Sequence, residues 1–484
     1  MVFQNNVLGG ASNSAGTTGY TIDQSIRFNN NDTAYMKRTP SSSGNQRTWT
    51  LSMWVKRGEL GNYGLFGTRT ANTTNFFAVE FNSDDLFVQG YASSSQTLRF
   101  ETNAHFRDPS AWYHVVLVAD TTNANSSDRI KIYVNGERVT SFATATYPTQ
   151  NYDTHINSSS YENAIGCHNT GSDRVFSGYM TDIVMLDGTA ADPSSFGETN
   201  SNGIWVPKDV SGLTFGTNGF HIDGRDASDL GDDESGQGND YTTVNLATHD
   251  QVFDTPTNNF CVMNPVSKLS YDSGVTIRGV SGVNLSSISK PSGNTNGFAH
   301  GTMGVKSGKW YYELYTTTYP AVEALGLGWI DAENAQTATT SGSGWRDFGI
   351  NQRHTTSAYS VWQWGYNEST GTGLTEFQAS VVVGVATDFD NNTFTLTTNG
   401  SAYGSVDFDS TSPTQDLTDG TVWLPKSVLA NDAVALVTFN FGQDSTFNGQ
   451  ISAGGNSDAN EIGNFKYSVP SGYLALCSKN LGAD

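Results

Sequence analysis

In the run Ile130-Lys-Ile-Tyr-Val134, apolar residues take every second position, so Ile130, Ile132 and Val134 share one face of an extended strand and Lys131 and Tyr133 the other. The run ends in Asn135-Gly136, residue types that supply the positive φ values of a two-residue type I′ turn, and a hairpin is predicted there. The pattern recurs late in the chain, where Phe394 and Leu396 alternate with Thr393, Thr395 and Thr397 ahead of Asn399-Gly400. Other strand signals fall at residues 25–29, 48–55, 76–81 and 112–118 in the first half, and at 309–314, 324–330, 381–386 and 434–441 in the second. No long segment sustains a 3.6-residue period. Many short strands with turn-rich spacers predict an all-β fold class of two tandem antiparallel β-sandwich (jelly-roll) domains.

A chain of 484 residues that is 36% hydrophobic and 12% aromatic can build two or three ordinary cores. Its 51 glycines suit short strands and frequent turns. The formal charge of -22, with only 25 Lys and Arg spread thinly, excludes phosphate-backbone binding, so no nucleic-acid partner is expected. The N-terminus lacks a basic region followed by an apolar stretch, and no run approaches ~18 apolar residues, so neither a signal peptide nor membrane insertion is expected. Cys167, Cys261 and Cys477 are far apart with no C-x-x-C pair, which fits buried reduced thiols and folding in a cytoplasm.

Residues 1–20 are rich in Asn, Gly and Ser and read as an extended attachment arm. A first sandwich is placed at 21–210, an acidic loop and linker at 211–258, and a second sandwich with a C-terminal extension at 259–484. The acidic stretch holds Asp223, Asp226, Asp229, Asp232, Asp233, Glu234 and Asp240 against Arg225 alone.

Residues 49–56 (Trp-Thr-Leu-Ser-Met-Trp-Val-Lys), Trp112-Tyr-His-Val-Val, Ile130 to Gly136 and Phe176-Ser-Gly-Tyr-Met-Thr-Asp-Ile-Val-Met-Leu186 occur in an order that resembles the laminin-G-like, concanavalin A-like lectin/glucanase fold over roughly residues 20–200. The segment Asp232 to Tyr241 resembles the "D-S-S-G-N-G-N" piece of such modules. Gly308-Lys-Trp-Tyr-Tyr-Glu-Leu314, Gly326-Leu-Gly-Trp329, Gly384-Val-Ala-Thr-Asp-Phe-Asp390, Thr393 to Gly400, Leu424-Pro and Phe439-Asn-Phe-Gly442 follow the order of the SPRY (B30.2-like) family, with residues 443–466 looking inserted. Residues 470–481 resemble the closing segment of SPRY-containing structural proteins of marine bacteriophages. The pairing of the two modules resembles phage tail-fibre and other virion-surface proteins, and both families are binding scaffolds. Fold alone does not fix function.

The candidate chemistry is sparse. The "E-x-D-x-x-E" strand of lectin-like glucanases is absent, and Asp388, which alternates with Asp390, falls where SPRY domains carry a structural Asp. His114 sits inside an apolar strand and reads as core, and no close ligand spacing links the eight histidines. No catalytic residue is assigned. Asp232, Asp233 and Asp240 are the first candidates for calcium, which favours several oxygen ligands, against the plainer reading of a solvated turn. Aromatics are the ligand candidates, because rings stack on sugar C–H faces and anchor interfaces. Trp345 and the period-two set Trp362, Trp364 and Tyr366 are named first, against a core-strand reading of the latter three. Tyr147, Tyr152 and Tyr161 lie in an Asn- and Ser-rich loop stretch, and Tyr152 joins the candidates.

The resemblance implies a non-enzymatic virion protein that requires no cofactor. In this reading it is made in a host cytoplasm, joined to other virion proteins through its arm, homo-oligomeric, and directed at a host-surface glycan or receptor. The alternatives are a purely architectural head-fibre or decoration protein and a polysaccharide depolymerase.

Overall fold

A computed structural model describes residues 19–69, 74–168, 173–264, 269–270, 276–277, 287–290, 296–318, 324–333, 335, 347–353, 358–363, 366–372, 378–407, 416–430 and 435–482. The first 18 residues of the expected arm lie outside this set. The chain divides into two compact units where Asn258 meets Asn259. Each unit is a sandwich of antiparallel sheets. No helix among the described residues is long and apolar enough to cross a membrane.

Both Asn-Gly hairpins form. Val134 pairs with Glu137 around Asn135 (φ 49°) and Gly136 (φ 81°), and Thr398 pairs with Ser401 around Asn399 (φ 46°) and Gly400 (φ 75°). Positive φ at both central residues is the type I′ requirement, which Asn and Gly meet at low steric cost.

In the first unit, one 8-stranded sheet is built around Thr48–Arg57, which pairs with Trp112–Asp120 on one side and Gly178–Asp187 on the other. The facing 8-stranded sheet carries Tyr63–Arg69, Phe76–Asn82, Asp85–Ala92 and Ser95–His105 in succession. Trp49, Leu51, Met53 and Val55 from the first sheet meet Phe66, Phe77, Val79, Val88 and Phe100 from the second in one buried core. The first sheet is covered on its other face too, where Val116, Val118, Val184 and Leu186 pack against Phe196, Val210 and Phe215. Burial on both faces explains why Trp112–Asp120 reads as a nearly continuous apolar run rather than an alternation.

Residues 211–258 are not a linker. Phe220–Ile222 pairs with Gly178–Asp187, Thr242–Val244 with Tyr35–Arg38, and Gln251–Val252 with Ser25–Phe28, so the segment completes both sheets of the first sandwich. Its acids dominate the sequence reading, yet Phe220, Ile222, Leu230, Tyr241 and Val252 between them are buried and supply apolar surface to the unit. Asp254 closes it. The Lys56 Nζ and an Asp254 carboxylate oxygen meet at 2.6 Å with 0% exposure of either side chain. The other carboxylate oxygen accepts the Trp112 indole N–H at 3.0 Å, and the Asp254 carbonyl accepts the Ser25 hydroxyl at 2.6 Å. A second buried pair, Arg27 with Asp250 at 2.9 Å, fixes the same returning segment.

The second unit pairs a 7-stranded sheet containing Ala324–Asp331 with an 8-stranded sheet containing Lys309–Thr318 and Val382–Asp388. Trp329, Phe348 and Trp423 pack against Tyr312, Leu314, Val385 and Phe439 between the sheets. Glu313, on the opposite phase of its strand from Tyr312 and Leu314, is buried and holds the end of the 443–466 segment. Its two carboxylate oxygens accept the backbone N–H groups of Lys466 (2.7 Å) and Tyr467 (2.8 Å), with Tyr311 O–H at 3.2 Å and Asn440 Nδ2 at 3.4 Å. Burial outweighs these hydrogen bonds and pushes the Glu313 carboxyl up to about 7.

Replacing Lys56 by Met removes the cation that faces the buried Asp254 carboxylate and is expected to destabilise the first unit by about 3–5 kcal/mol in urea titrations, with Asp254→Asn in the same chain restoring part of the loss. For Glu313 the folded-state pKa lies above the unfolded one, so its contribution is complete below about pH 4.5, declines as pH rises, and is gone above about pH 7. The stability difference between wild type and Glu313→Gln should therefore shift by about 3 kcal/mol across that window and be flat above it, measured by chemical denaturation at several pH values.

Candidate functional site

The strands Phe76–Asn82 and Asp85–Ala92 alternate strictly, with Phe77, Val79 and Phe81 facing Leu86 and Val88 in the core. The other phase therefore points away from the core, and it too is rich in rings: Phe76 is registered with Tyr91 and Glu80 with Phe87. Phe76 and Tyr91 are partly exposed and stack at 4.7 Å with an 18° interplanar angle. The His155 Nε2 donates to the Tyr91 carbonyl at 3.0 Å, while its ring stacks on Tyr161 at 4.6 Å and meets Tyr152 edge-on at 6.2 Å. His168 meets Phe76 edge-on at 5.1 Å. Burial lowers the His155 pKa, so its imidazole is a neutral, stacking ring here. The result is a strip of partly exposed rings edged by hydroxyls, with Thr97 Oγ1 donating to Tyr152 Oη at 2.8 Å and Gln96 Nε2 to Tyr91 Oη at 3.0 Å.

Beside the strip lies a buried polar floor. Glu80, with 0% exposure, accepts Arg174 Nη1 at 2.5 Å and Gln89 Nε2 at 2.8 Å on one oxygen. Its other oxygen and the His168 Nε2 have no hydrogen-bond partner among the described residues. Burial raises the Glu80 pKa against the opposing influence of His168 and Arg174. Two glycines make this arrangement possible. A Cβ on Gly64 would lie 2.2 Å from the His168 nitrogen and one on Gly67 2.1 Å from the His168 carbonyl oxygen, so only glycine lets the Cys167–His168 backbone lie against the strand Tyr63–Arg69.

Of the ligand candidates read from sequence, Tyr152 belongs to this strip. Among its unnamed neighbours, Phe76 and Tyr91 carried a legible signal, an aromatic on the outward phase of a strand whose inward phase is already filled, whereas His155 and His168 lie on loops and carried none. Tyr147 instead packs edge-on against Phe100 at 4.9 Å on the core's flank. Trp345 and Trp364 lie outside the described residues. Trp362 and Tyr366 do not share one strand: Ala358–Gln363 ends and Tyr366–Thr372 begins an antiparallel partner, with Trp362 registered to Asn367 and Gln363 to Tyr366. Trp362 and Tyr366 occupy successive ladder positions, so the period-two reading of a shared face does not hold.

The acidic residues named for calcium are held by the protein's own donors. Asp233 is buried, and its oxygens accept the backbone N–H of His221 (2.8 Å), Ser235 (2.9 Å) and Asn239 (2.8 Å) and the Ser235 hydroxyl (2.8 Å). Asp240 accepts the Asp233 N–H at 3.1 Å. Asn239 donates to the carbonyls of Thr217 and Gly219, and Arg38 donates to its side-chain oxygen. Asp232, only partly exposed, has its pKa raised by burial and by Asp240, Asp229 and Asp226. The donors that a cation would have to displace are the protein's own, and no group of three or more His, Cys, Asp or Glu is assembled as a metal ligand set among the described residues. The segment is a clasp that pins Phe220–Ile222 to the sandwich.

His114 is a core residue. It lies between Trp54 (4.6 Å) and Trp205 (5.9 Å), accepts the Trp205 indole N–H on Nδ1 at 2.9 Å, and therefore donates from Nε2 to Ser52 Oγ at 2.8 Å. Burial pushes its pKa down to about 3. Asp388 anchors a turn, bound to Lys309 Nζ at 2.8 Å and accepting the N–H groups of Asp390 and Asn391.

Residues 29–192 match a laminin-G family model of the Concanavalin A-like lectin/glucanases superfamily. The first unit carries a laminin-G-like lectin-fold domain. The strip's Phe76, Tyr91, Tyr152, His155 and Tyr161 all fall inside the matched residues. Comparison with curated proteins finds no match. Among solved structures, the chain is similar to the SPRY domain of human HERC1 at 14% identity and TM-score 0.28, covering 37% of this chain and 96% of that one. It is similar to a heptameric SAP-like pentraxin from Limulus polyphemus at 17% identity and TM-score 0.29, over 42% of this chain and 93% of that one. It is also similar to the LG1-3 region of the laminin alpha2 chain at 11% identity and TM-score 0.34, over 89% of this chain and 63% of that one.

EDTA is expected to leave the thermal unfolding of the protein unchanged in scanning calorimetry. Asp233→Ala, which strips acceptors from buried N–H groups of the clasp, should lower stability by about 2 kcal/mol or more.

Proposed function

We propose that this chain is a non-enzymatic binding protein whose first sandwich recognises a host-surface glycan or protein, as the receptor-binding component of a phage virion. The observation that carries this reading is the strip formed by Phe76, Tyr91, His155, Tyr161 and Tyr152 on the outward face of a sheet. Rings held by a rigid sheet lose little entropy on binding. Their faces suit the C–H surface of a sugar or an apolar side chain, and their hydroxyls and the adjacent polar floor suit hydroxyl groups. The sequence order of SPRY-like motifs in the second unit supports a second binding scaffold in the same chain. An arm at residues 1–20 that joins other virion proteins, and several copies in one particle, would raise a weak single-site affinity by avidity.

The test is binding of fluorescently labelled protein to candidate host cells, with phage adsorption measured in competition. Tyr91→Ala and Tyr161→Ala are each expected to weaken binding about 10- to 100-fold, with circular dichroism unchanged. Full binding by both variants would move recognition away from the strip. Absence of binding by folded wild-type protein would favour the architectural reading, in which the same face meets virion neighbours.

A further inference from the structure

The polar atoms of the ring strip are committed in a way that fixes what each has left to offer. The His155 Nε2 lies 3.0 Å from the Tyr91 carbonyl, an oxygen that only accepts, so Nε2 carries the imidazole hydrogen. Nδ1 is then a bare acceptor. It meets no donor among the described residues, and it is not enclosed: the half-buried ring leaves this nitrogen at the surface. The Tyr91 hydroxyl oxygen accepts Gln96 Nε2 at 3.0 Å, which leaves its own hydrogen to donate. The Tyr161 hydroxyl has no partner among the described residues, and burial raises its pKa and keeps it an O–H.

His155 stands between these two phenols, bonded to the backbone of Tyr91 and stacked on Tyr161 with centroids 4.6 Å apart and planes 24° apart. An open acceptor beside hydroxyl donors selects a ligand group by what that group can do. An ammonium only donates, a carboxylate only accepts, and an apolar side chain does neither. A hydroxyl does both. A pyranose carries C–H groups on its faces and hydroxyls around its rim, so a sugar resting on Tyr91 or Tyr161 presents a hydroxyl to an acceptor in the plane of the adjoining imidazole.

With the strip as the recognition surface, on which this assignment depends, we propose that His155 Nδ1 accepts a hydroxyl hydrogen of a bound sugar and makes the site specific for glycan hydroxyls over protein side chains. Burial lowers the imidazole's pKa and keeps it neutral, against the Tyr91 carbonyl and Asp153, which favour the charged form. Asp153 is itself paired with Arg47 at 2.8 Å, and the other titratable groups against the ring are the phenols of Tyr152 and Tyr161. Protonating Nδ1 turns the acceptor into a donor. Sugar binding is therefore constant at neutral and higher pH and weakens as pH falls through the histidine's depressed pKa, by up to about tenfold per pH unit.

Nitrogen NMR of the full chain with isotope-labelled histidine rings, titrated with the methyl glycosides of glucose, galactose, mannose and N-acetylglucosamine, tests this. The His155 signals are those missing from His155→Phe, which keeps a ring against Tyr161. In wild type, saturable binding of at least one glycoside should move the Nδ1 resonance and weaken on acidification. His155→Phe should bind that glycoside about tenfold more weakly at neutral pH and without pH dependence, and His155→Gln, whose amide offers both an N–H and an oxygen, should recover part of the loss. If binding needs Tyr91 and Tyr161 but is unchanged in His155→Phe, or is independent of pH in wild type, the strip remains the recognition surface and the His155 assignment falls. Glycoside binding that survives both Tyr91→Ala and Tyr161→Ala removes recognition from the strip and the proposal with it. Absence of saturable binding by every glycoside also overturns the proposal, and cell binding that still needs Tyr91 and Tyr161 then identifies a protein ligand. If His155→Phe does not fold, the wild-type pH profile and the Nδ1 shift decide.

Discussion

Lys56 and Asp254 meet at 2.6 Å without any solvent exposure, and the first sandwich is organised around that contact. Lys56 lies on the central strand of its sheet, and Asp254 lies 198 residues later, at the point where the chain leaves the unit. Two charges taken out of water are tolerated only when their remaining hydrogen-bonding capacity is also met. Trp112 donates to the Asp254 carboxylate and Ser25 to the Asp254 backbone carbonyl, which brings the first strand, two central strands and the returning segment to one place. An apolar pair could fill the same volume, but it would accept many alternative partners. A buried ion pair accepts one.

The second sandwich uses a different device for a similar end. Glu313 sits on a core strand with its carboxylate turned away from the core, and it receives the backbone N–H groups of Lys466 and Tyr467. The segment that looks inserted in the sequence is thus tied to the middle of a sheet. Burial raises the glutamate's pKa, so this tie is sensitive to pH.

The candidate surface follows from a departure in this scaffold. An ordinary outward strand phase is polar, but here it carries Phe76 and Tyr91, joined by His155 and Tyr161 from a loop some sixty residues on. A strand residue normally has an extended backbone, but Asp182 is left-handed at a register break. Local rules are expected to fail at sites that do something besides fold.

The sequence by itself determined what short-range physics controls. Asn135-Gly136 and Asn399-Gly400 could form little other than tight hairpins between alternating strands, and the all-β sandwich architecture followed from many such runs. The core role of His114 was legible from its apolar strand. The acidic segment misled because charge dominates its composition, while the buried Phe220, Ile222 and Tyr241 that dock it need partners far away in the chain. Trp362 and Tyr366 were read on one strand because period two does not reveal where a strand ends. The glycine between them, Gly365, was the signal available for a break. Only the tertiary structure decided which residues stand side by side in the ring strip. Those neighbours are set by the pairing of strands distant in sequence and by where loops close over them, and no spacing along the chain encodes a distance across a sheet.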